Sequence, residues 1–466
     1  MKKILLLSCC VLLFSLMLIS FLLFSFENFN SSDEEAEYIF IERSALVATV
    51  WSPPEFIGDI DYINERHRQW VHDITYFRNL VFRRHPRFVT HFSWFTGAIK
   101  EPRVADRELN AEIGTDFNEA LIALTQEAPY LTDFEILIRL QMSIALLRDN
   151  HSSFESAFFN EYYPLYPFWF MWSGDNIYLT ITHQNYEHVL NHRLVGINDT
   201  PVEEILEKIE ALIPSENQYH IRISYAVSGY LNTPEILQAL GISDETQTRY
   251  TFVNFQGAEM VVYPTVYLID EGVWVTFPDD NIPLFQQEPD SDMWYVLLET
   301  GMLYVRISAF RDSRDNRDWV LLFARLQRAV DNYDVQTLVV DLRDNPGGFP
   351  THTLMELIGN NVPEVYTFIN EGSTSASLVT AAHLASLGAV TVGQPSAQGL
   401  VFYTGGEHEL PYSGYRFRLS DQIIDLPARF NMYSPPDLVF RPDILIDYTI
   451  EDWMNNRDPF LEFVTN

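Results

Sequence analysis

Apolar residues recur with a helical period through the first part of the chain beyond residue 38. Phe117, Ala120, Leu121 and Leu124 would share one face of a helix, and a second apolar face runs through residues 134–147. Spacings of three and four residues place such side chains on one side of a helix, where they can pack on a core. The pattern predicts an N-terminal helical domain over residues 38–160.

Short β-like runs replace this pattern over residues 161–290. Ile177–Ile181 and Tyr250–Val253 are examples, and the turn at Asn198–Pro201 introduces a helix at Val202–Leu212. Branched and aromatic residues bounded by turn formers are typical of strands. We therefore predict a mainly β middle domain.

Strands and helices alternate over residues 291–466. A strand at Met302–Ile307, a helix at Trp319–Val330, a strand at Leu338–Leu342 and a strand at Val390–Val392 follow one another. Alternation of this kind is typical of an α/β layer with a parallel sheet. The fold class predicted for the chain is α/β in this core and α+β overall.

A long apolar run from Ile4 to Phe26 follows Lys2 and Lys3. It is long enough to cross a hydrocarbon core of roughly 30 Å as a helix. We predict a membrane anchor within residues 1–27, an acidic tether over 28–37, and the remainder of the chain outside the cytoplasm. Cleavage of the segment as a signal peptide, which would release a secreted protein, is the alternative.

Charge and cysteine content exclude several functions. The chain has 64 acidic and 30 basic residues, a formal charge of -34, so it would repel phosphate backbones and is not expected to bind nucleic acid. Both cysteines, Cys9 and Cys10, lie in the first apolar run, which leaves the rest without a disulfide or a cysteine nucleophile. His188 and His192 have the spacing of a zinc pair but lack an accompanying glutamate, and we predict neither a metal site nor a cofactor.

Two segments of the α/β core could carry chemistry. Arg343–Gly348 ends a buried strand with two glycines, whose free backbone can approach a ligand, although an ordinary turn would have the same residues. Ser375 lies in the small-residue run 370–377, directly before a helix. It could simply cap that helix, or it could be a nucleophile whose oxyanion is stabilised by the helix N-terminus.

A serine nucleophile needs a base to take its proton. His151 lies in the polar loop that ends an apolar helix, and it is the most suggestive of the histidines, although loop histidines are usually structural. His383 lies two turns along the helix that follows Ser375, too far along its axis to reach that serine.

Residues 339–348, 366–377 and 388–395 together resemble the core of the tail-specific, or C-terminal processing, serine proteases, the family that includes the tricorn core protease. The likeness continues in Arg441–Ile446 and in Asp458–Glu462, and it extends back to Asp149–Ser152, which is similar to the family's Asp-Gly-His-Thr motif. It implies a crotonase-like, or ClpP-like, serine protease core. Residues 194–204 resemble the strand, turn and helix of the family's PDZ-like domain.

The resemblance assigns roles to individual residues. It implies Ser375 as the nucleophile and the backbone N–H groups of Gly347 and Ala376 as oxyanion donors. The Ser-Lys members have a lysine in the segment that here is Gly393–Gly399, and this chain has none there. The chain is therefore closer to the tricorn-like Ser-His branch, which implies His151 as general base.

An acid from the C-terminal region should orient the imidazole in that branch. Asp437 is the predicted residue, with Glu407, Glu409 and Asp443 as rivals. Leu378 occupies the position of a glutamate that commonly follows the family's nucleophile run, so no subsite role is carried over for it.

The expected function is that of an anchored serine peptidase acting on peptide or protein substrates outside the cytoplasm, without a cofactor. The alternative is a catalytically inactive protein that binds a peptide or an apolar ligand on the same fold. The sequence leaves the oligomeric state open.

Overall fold

A computed structural model describes residues 65–93, 98–100, 106–155, 164–227, 229–244, 247–268, 274–276, 282–288, 291–311, 317–348 and 362–465. The predicted anchor and tether lie outside the described residues. Within these ranges, no helix combines the length and the apolar character that crossing a bilayer requires.

Three long helices form the N-terminal part: α1 (Glu65–Arg84), α2 (Arg107–Glu127) and α3 (Asp133–Ala145). Helix α3 begins at a capping box, in which the Thr132 hydroxyl accepts from the backbone of Glu135 and the Glu135 carboxylate accepts from the backbone of Thr132. The apolar residues that predicted these helices are buried between them.

The middle part contains a seven-stranded sheet in the order β3-β4-β5-β7-β8, with β6 paired to β5 and β9 paired to β4. Its strands are β3 (Phe168–Ser173), β4 (Asn176–His183), β5 (Arg193–Ile197), β6 (Thr200–Pro201), β7 (Tyr250–Val253), β8 (Glu259–Val262) and β9 (Trp274–Thr276). Three helices accompany it: α4 (Val202–Glu210), α5 (Gln218–Val227) and α6 (Pro234–Ala239). The strand, turn and helix predicted at residues 194–204 are present.

The third part is a six-stranded sheet in the order β10-β11-β12-β13-β14-β17. Strands β10 and β11 are antiparallel, and the other pairs are parallel. The strands are β10 (Met293–Leu297), β11 (Met302–Ile307), β12 (Thr337–Asp341), β13 (Glu364–Ile369), β14 (Val390–Gly393) and β17 (Ile444–Leu445). The helices are α7 (Arg317–Asn332), α8 (Ala376–Ser386), α9 (Leu426–Phe430), α10 (Ile450–Met454) and α11 (Pro459–Thr465). This sheet confirms the predicted α/β core, although the late strand expected at Arg441–Ile446 has only two residues.

Parallel pairing places the two chemically suggestive loops side by side. Strands β12 and β13 are neighbours and run in the same direction, so the loop after Asp341 and the loop after Ile369 leave the sheet at one edge. Open α/β sheets bind their ligands at this carboxyl edge.

A hairpin joins this core to the N-terminal helices. It consists of β15 (Val401–Glu409) and β16 (Arg416–Asp425), which form a separate two-stranded sheet. A different hairpin, of β1 (His91–Ser93) and β2 (Ala98–Lys100), lies in the N-terminal part. Phe417 packs edge-on against Phe77 of α1, with ring centroids 5.2 Å apart. One hydrophobic cluster contains residues of the hairpin, the helices and the middle sheet, so this core crosses the predicted boundary at residue 160.

A buried ion network fixes the end of β12. The Arg343 guanidinium donates to Asp341 and, at 2.9 Å, to both carboxylate oxygens of Asp458, just before α11. Arg343 is also sandwiched by aromatic rings, with its guanidinium carbon 4.0 Å from the Phe285 centroid and 4.7 Å from that of Phe460. The network fastens the C-terminal helix to the strand that leads into the glycine turn.

Replacing Arg343 by alanine should lower the free energy of unfolding by about 3–5 kcal/mol, since it removes the cation paired with the buried Asp458 and leaves the buried Asp341 with the more distant Arg306, 3.6 Å away. Urea denaturation followed by circular dichroism measures this change. Arg68→Ala is the matched control because the Arg68 side chain is 62% exposed and pairs with Glu65 at the surface; it should cost about 1 kcal/mol or less. Equal losses in the two variants would contradict the assigned role.

Candidate active site

Ser375 has an unusual backbone conformation at the start of α8. It occupies the N-cap position with φ 54° and ψ −121°, and its side chain makes no capping hydrogen bond. A non-glycine residue in this region is strained by on the order of 1–3 kcal/mol and persists only where the surrounding structure enforces it. The simple capping role is therefore not the one that Ser375 has.

The neighbouring hydroxyl groups have structural roles instead. Ser373 is fully buried, and its Oγ donates to the Leu342 carbonyl at 2.8 Å and accepts from the Asn370 N–H at 3.0 Å. The Thr374 Oγ1 donates to the Pro346 carbonyl at 3.3 Å. These bonds tie the serine loop to the glycine loop and leave Ser375 between them.

Gly347 lies directly against Ser375. A Cβ at this position would lie 2.5 Å from the Ser375 Cβ and 3.0 Å from its Oγ, and the φ of 101° also favours glycine. The Gly347 N–H donates to Asn345 Oδ1 at 2.8 Å. The Ala376 N–H is the first of helix α8, where a backbone N–H has no intrahelical acceptor.

The loop that carries His151 is held by a buried carboxylate. Asp149 Oδ1 accepts from the backbone N–H of His151 at 3.0 Å, while its Oδ2 accepts from Ser152 Oγ and from His85 Nε2 at 3.1 Å. The Arg87 N–H donates to His85 Nδ1, so Nε2 is the nitrogen that carries the His85 proton. Burial opposes ionisation of Asp149, but the hydrogen bond and charge of His85, helped by His151 and Ser152, lower its pKa well below the usual value.

Strand β16 receives the other side of this loop. Ser153 and Arg418 exchange backbone hydrogen bonds of 3.1 and 2.9 Å, and the Ser420 N–H donates to Ser152 Oγ at 2.9 Å. The hairpin therefore brings a loop from the N-terminal helices to the α/β core.

The His151 ring lies between a phenyl ring and two amides. It stacks on Phe402 of β15, with centroids 5.8 Å apart and an interplanar angle of 18°. Its Nδ1 is 2.8 Å from Asn150 Oδ1 and 3.1 Å from Gln398 Nε2. Burial lowers the pKa of His151 to about 4, although the charge of Asp149 opposes the shift. The imidazole is therefore neutral at pH 7, as a general base must be.

Gln398 connects this ring to Ser375. Its Oε1 accepts from the Ser375 N–H, and its Nε2 donates to Asn150 Oδ1 at 3.0 Å. The predicted nucleophile and the predicted base thus contact opposite ends of one side-chain amide.

Two further titratable groups reach the site from the segment around the start of α5. Glu216 accepts from the Gly399 N–H at 2.8 Å, and both burial and the neighbouring charge of Asp149 raise its pKa well above the usual value. His220 is buried beside His151, and desolvation, together with the charge of His151, lowers the pKa of His220 to about 4. His220 is therefore neutral near pH 7.

One group among the described residues has ligand atoms spaced for a metal ion. Asp149, His151 and Glu216 each offer an atom, all within 4.8 Å of one another. The Asp149 oxygens already accept the three hydrogen bonds that hold the His151 loop, so this carboxylate serves the loop.

The structure does not support Asp437 as the acid that orients His151. The Asp437 carboxylate pairs with Arg441 in a surface bridge whose side chains are about half exposed. Among the rivals, Asp443 accepts from Thr391, and Glu409 is 3.9 Å from Arg416 at the surface. The groups within hydrogen-bonding distance of the His151 Nδ1 are the Asn150 and Gln398 amides instead.

Sequence reasoning missed Asn150, Gln398 and Glu216. Gln398 lies where the resemblance expected a lysine, and Asn150 lies where the family motif has glycine. A polar side chain at the position of a functional lysine was the available signal for Gln398, and a polar side chain in place of the motif's glycine was the signal for Asn150. Glu216 had no comparable signal, because only the folding of the middle part brings it near His151.

The fold is similar to that of CPAF. The structure of mature CPAF superposes with a TM-score of 0.55 at 12% identity, covering 86% of this chain and 96% of that one. Mature CPAF complexed with lactacystin gives the same TM-score and identity, with 98% of its chain covered. The photosystem II D1 C-terminal processing protease is more distant, with a TM-score of 0.39, 11% identity, and coverage of 84% of this chain and 97% of that one. No protein-family model and no curated protein sequence matches the chain.

The His151 imidazole should titrate near pH 4 in the folded protein. Its buried neutral form is favoured, so protonation requires a pH well below the 6.5 expected of a solvated histidine. An NMR titration of ¹³C-histidine-labelled protein measures this value, with the signal assigned by comparison with His151→Gln. The urea-unfolded protein is the control, and a folded midpoint at or above 6.5 would contradict the description.

Gly347→Ala should destabilise the protein by about 1–3 kcal/mol, because it combines a positive φ with a collision against Ser375. Gly406→Ala is the matched control: its Cβ would meet nothing within 4 Å, and its effect should stay within about 0.5 kcal/mol. Urea midpoints of the two variants provide the comparison. Loss of equal size in both would show that Gly347 is not confined by Ser375.

Proposed function

We propose that the protein is a serine peptidase of the tail-specific protease type, with Ser375 as nucleophile and His151 as general base. One observation carries the proposal: the strained Ser375, which does not cap its helix, is joined through Gln398 to a half-buried, neutral imidazole. A structural serine and a structural histidine do not require this arrangement. The fold shared with CPAF supports the proposal.

The reaction follows Ser-His acyl transfer. Ser375 Oγ bonds to the carbonyl carbon of the scissile peptide while His151 Nε2 takes the hydroxyl proton. His151 returns this proton to the leaving amine nitrogen as the C–N bond breaks, which leaves an acyl ester on Ser375. Water then attacks the ester, its proton passes to His151, and that proton restores the Ser375 hydroxyl as the carboxylic acid leaves.

The Ala376 N–H is the principal oxyanion donor in this scheme, since it points from the first turn of α8 beside Ser375. The Gly347 N–H can join it by exchanging Asn345 Oδ1 for the oxyanion. The charge of Asp149 favours the imidazolium that forms on His151, because opposite charges attract strongly in a buried site.

The expected location stays part of the proposal. The apolar run Ile4–Phe26, preceded by two lysines, supports an N-terminal anchor with the peptidase outside the cytoplasm. Peptides or proteins are the proposed substrates.

A fluorophosphonate probe should form an adduct on the wild-type protein, and mass spectrometry should locate it on Ser375. Ser375→Ala should abolish the adduct, and His151→Ala should slow labelling by about 10²–10⁴-fold, the usual contribution of a general base. Thr374→Val is the matched control, because it removes a neighbouring hydroxyl that bonds only within the loops. It should retain labelling.

Absence of an adduct on folded wild-type protein would contradict the peptidase and favour the binding protein. An adduct that persists in Ser375→Ala would contradict the assignment of the nucleophile.

A further inference from the structure

The backbone N–H of Ser375 is a fixed donor that sets the hydrogen-bonding direction of the side chains between Ser375 and His151. A backbone N–H can only donate, so the Gln398 atom that accepts from the Ser375 N–H must be its amide oxygen. The NH₂ group of Gln398 then faces the other way, toward Asn150 and His151.

Asn150 must present a hydrogen-bond acceptor to that NH₂ group. Its Oδ1 lies 3.0 Å from Gln398 Nε2 and 2.8 Å from His151 Nδ1, and a carbonyl oxygen has two lone pairs. We assign both hydrogen bonds to Oδ1, which places a proton on His151 Nδ1, because an unprotonated Nδ1 would face the Asn150 oxygen acceptor to acceptor at 2.8 Å. The 3.1 Å approach of Gln398 Nε2 to Nδ1 is then a contact between two donors that share this acceptor. In the neutral ring the lone pair is then on Nε2, the tautomer that a general base needs.

Among the described residues, no carboxylate forms a hydrogen bond with the His151 ring. Asp437 is at the surface with Arg441, and Asp149 binds the backbone N–H of His151. Gln398 is itself held, since its own backbone N–H donates to Ser396 Oγ at 3.1 Å. The two amides form a directed chain from the nucleophile to the base.

We propose that Asn150 is the positioning residue that sets the tautomer of His151, and that Gln398 fixes Asn150, so that the site is a Ser-His-Asn triad. This inference rests on the proposed function. During proton transfer Nδ1–H stays on its nitrogen and donates to Asn150 throughout, while Nε2 gains and loses the Ser375 proton. Asn150 itself takes up no proton.

The tautomer can be measured without any turnover. In ¹⁵N-histidine-labelled Ser375→Ala protein at pH 7, we expect His151 to show a protonated Nδ1 and an unprotonated Nε2. Adding Asn150→Ala should convert His151 mainly to the Nε2–H form, which free imidazole side chains favour. Asn150→Asp keeps an acceptor oxygen in place and should keep Nδ1 protonated.

Labelling by the fluorophosphonate probe provides the second readout, in otherwise wild-type protein. Asn150→Ala should lower the rate by about 10²-fold or more, in line with loss of the working base. Asn150→Asp should recover much of that rate, and its acid limb should move to higher pH because the added negative charge favours the imidazolium. Gln398→Met leaves the His151 loop unchanged and should shift the tautomer in the same direction as Asn150→Ala.

Asn332→Ala, at an exposed asparagine of α7 that bonds its own helix, is the matched control and should change neither readout. The proposal is overturned if Asn150→Ala and Gln398→Met both keep the Nδ1–H form with labelling rates within threefold of wild type. It is equally overturned if Asn150→Asp loses that form. Failure of the wild-type protein to label at all would overturn the peptidase, whereas the tautomer measurement would still decide the role of Asn150.

Discussion

The site depends on a carboxylate that lies far from solvent. Asp149 is fully buried, and three donors from His85, His151 and Ser152 converge on it. A buried charge is tolerated only when it is hydrogen-bonded, so the loop has one favourable conformation, the one that collects these donors. The position of His151 follows from this constraint, and the site geometry follows from His151.

Two kinds of interaction are separated at this site. The ionised Asp149 contacts the His151 backbone, and neutral amides contact the ring. The charge of Asp149 therefore fixes the loop and favours the imidazolium, while the amides set the orientation of the His151 ring. A carboxylate directly on Nδ1 would combine both tasks and would also raise the pKa of the imidazole. Separation of the two tasks is consistent with a His151 pKa of about 4.

Local pattern was enough to predict most elements of the fold. The helices around Leu121 and Leu140 and the strand Met302–Ile307 are where the pattern placed them, because each helix buries one regular face and the strand is buried on both faces. The resemblance, whose motifs are short and continuous, indicated Ser375 and His151, and the structure brings both into contact with Gln398. The structure does not support the prediction of Asp437, because the sequence does not indicate in which direction a loop carboxylate points. The Asp437 carboxylate pairs at the surface with Arg441, four residues later. Gln398 and Asn150 act through contacts between distant parts of the chain, which no local pattern contains.

The candidate site can form only after the hairpin of β15 and β16 has been synthesised. The His151 loop comes early in the sequence, whereas its hydrogen-bond partners Arg418 and Ser420 come after Ser375. Chains are made from the N-terminus at about 5–20 residues per second, so the loop has no β16 strand to bind until the hairpin has left the ribosome. A nascent chain that already contains both Ser375 and His151 would thus lack the complete site until β16 has been synthesised and has folded, so under the proposed function it would be inactive before that point.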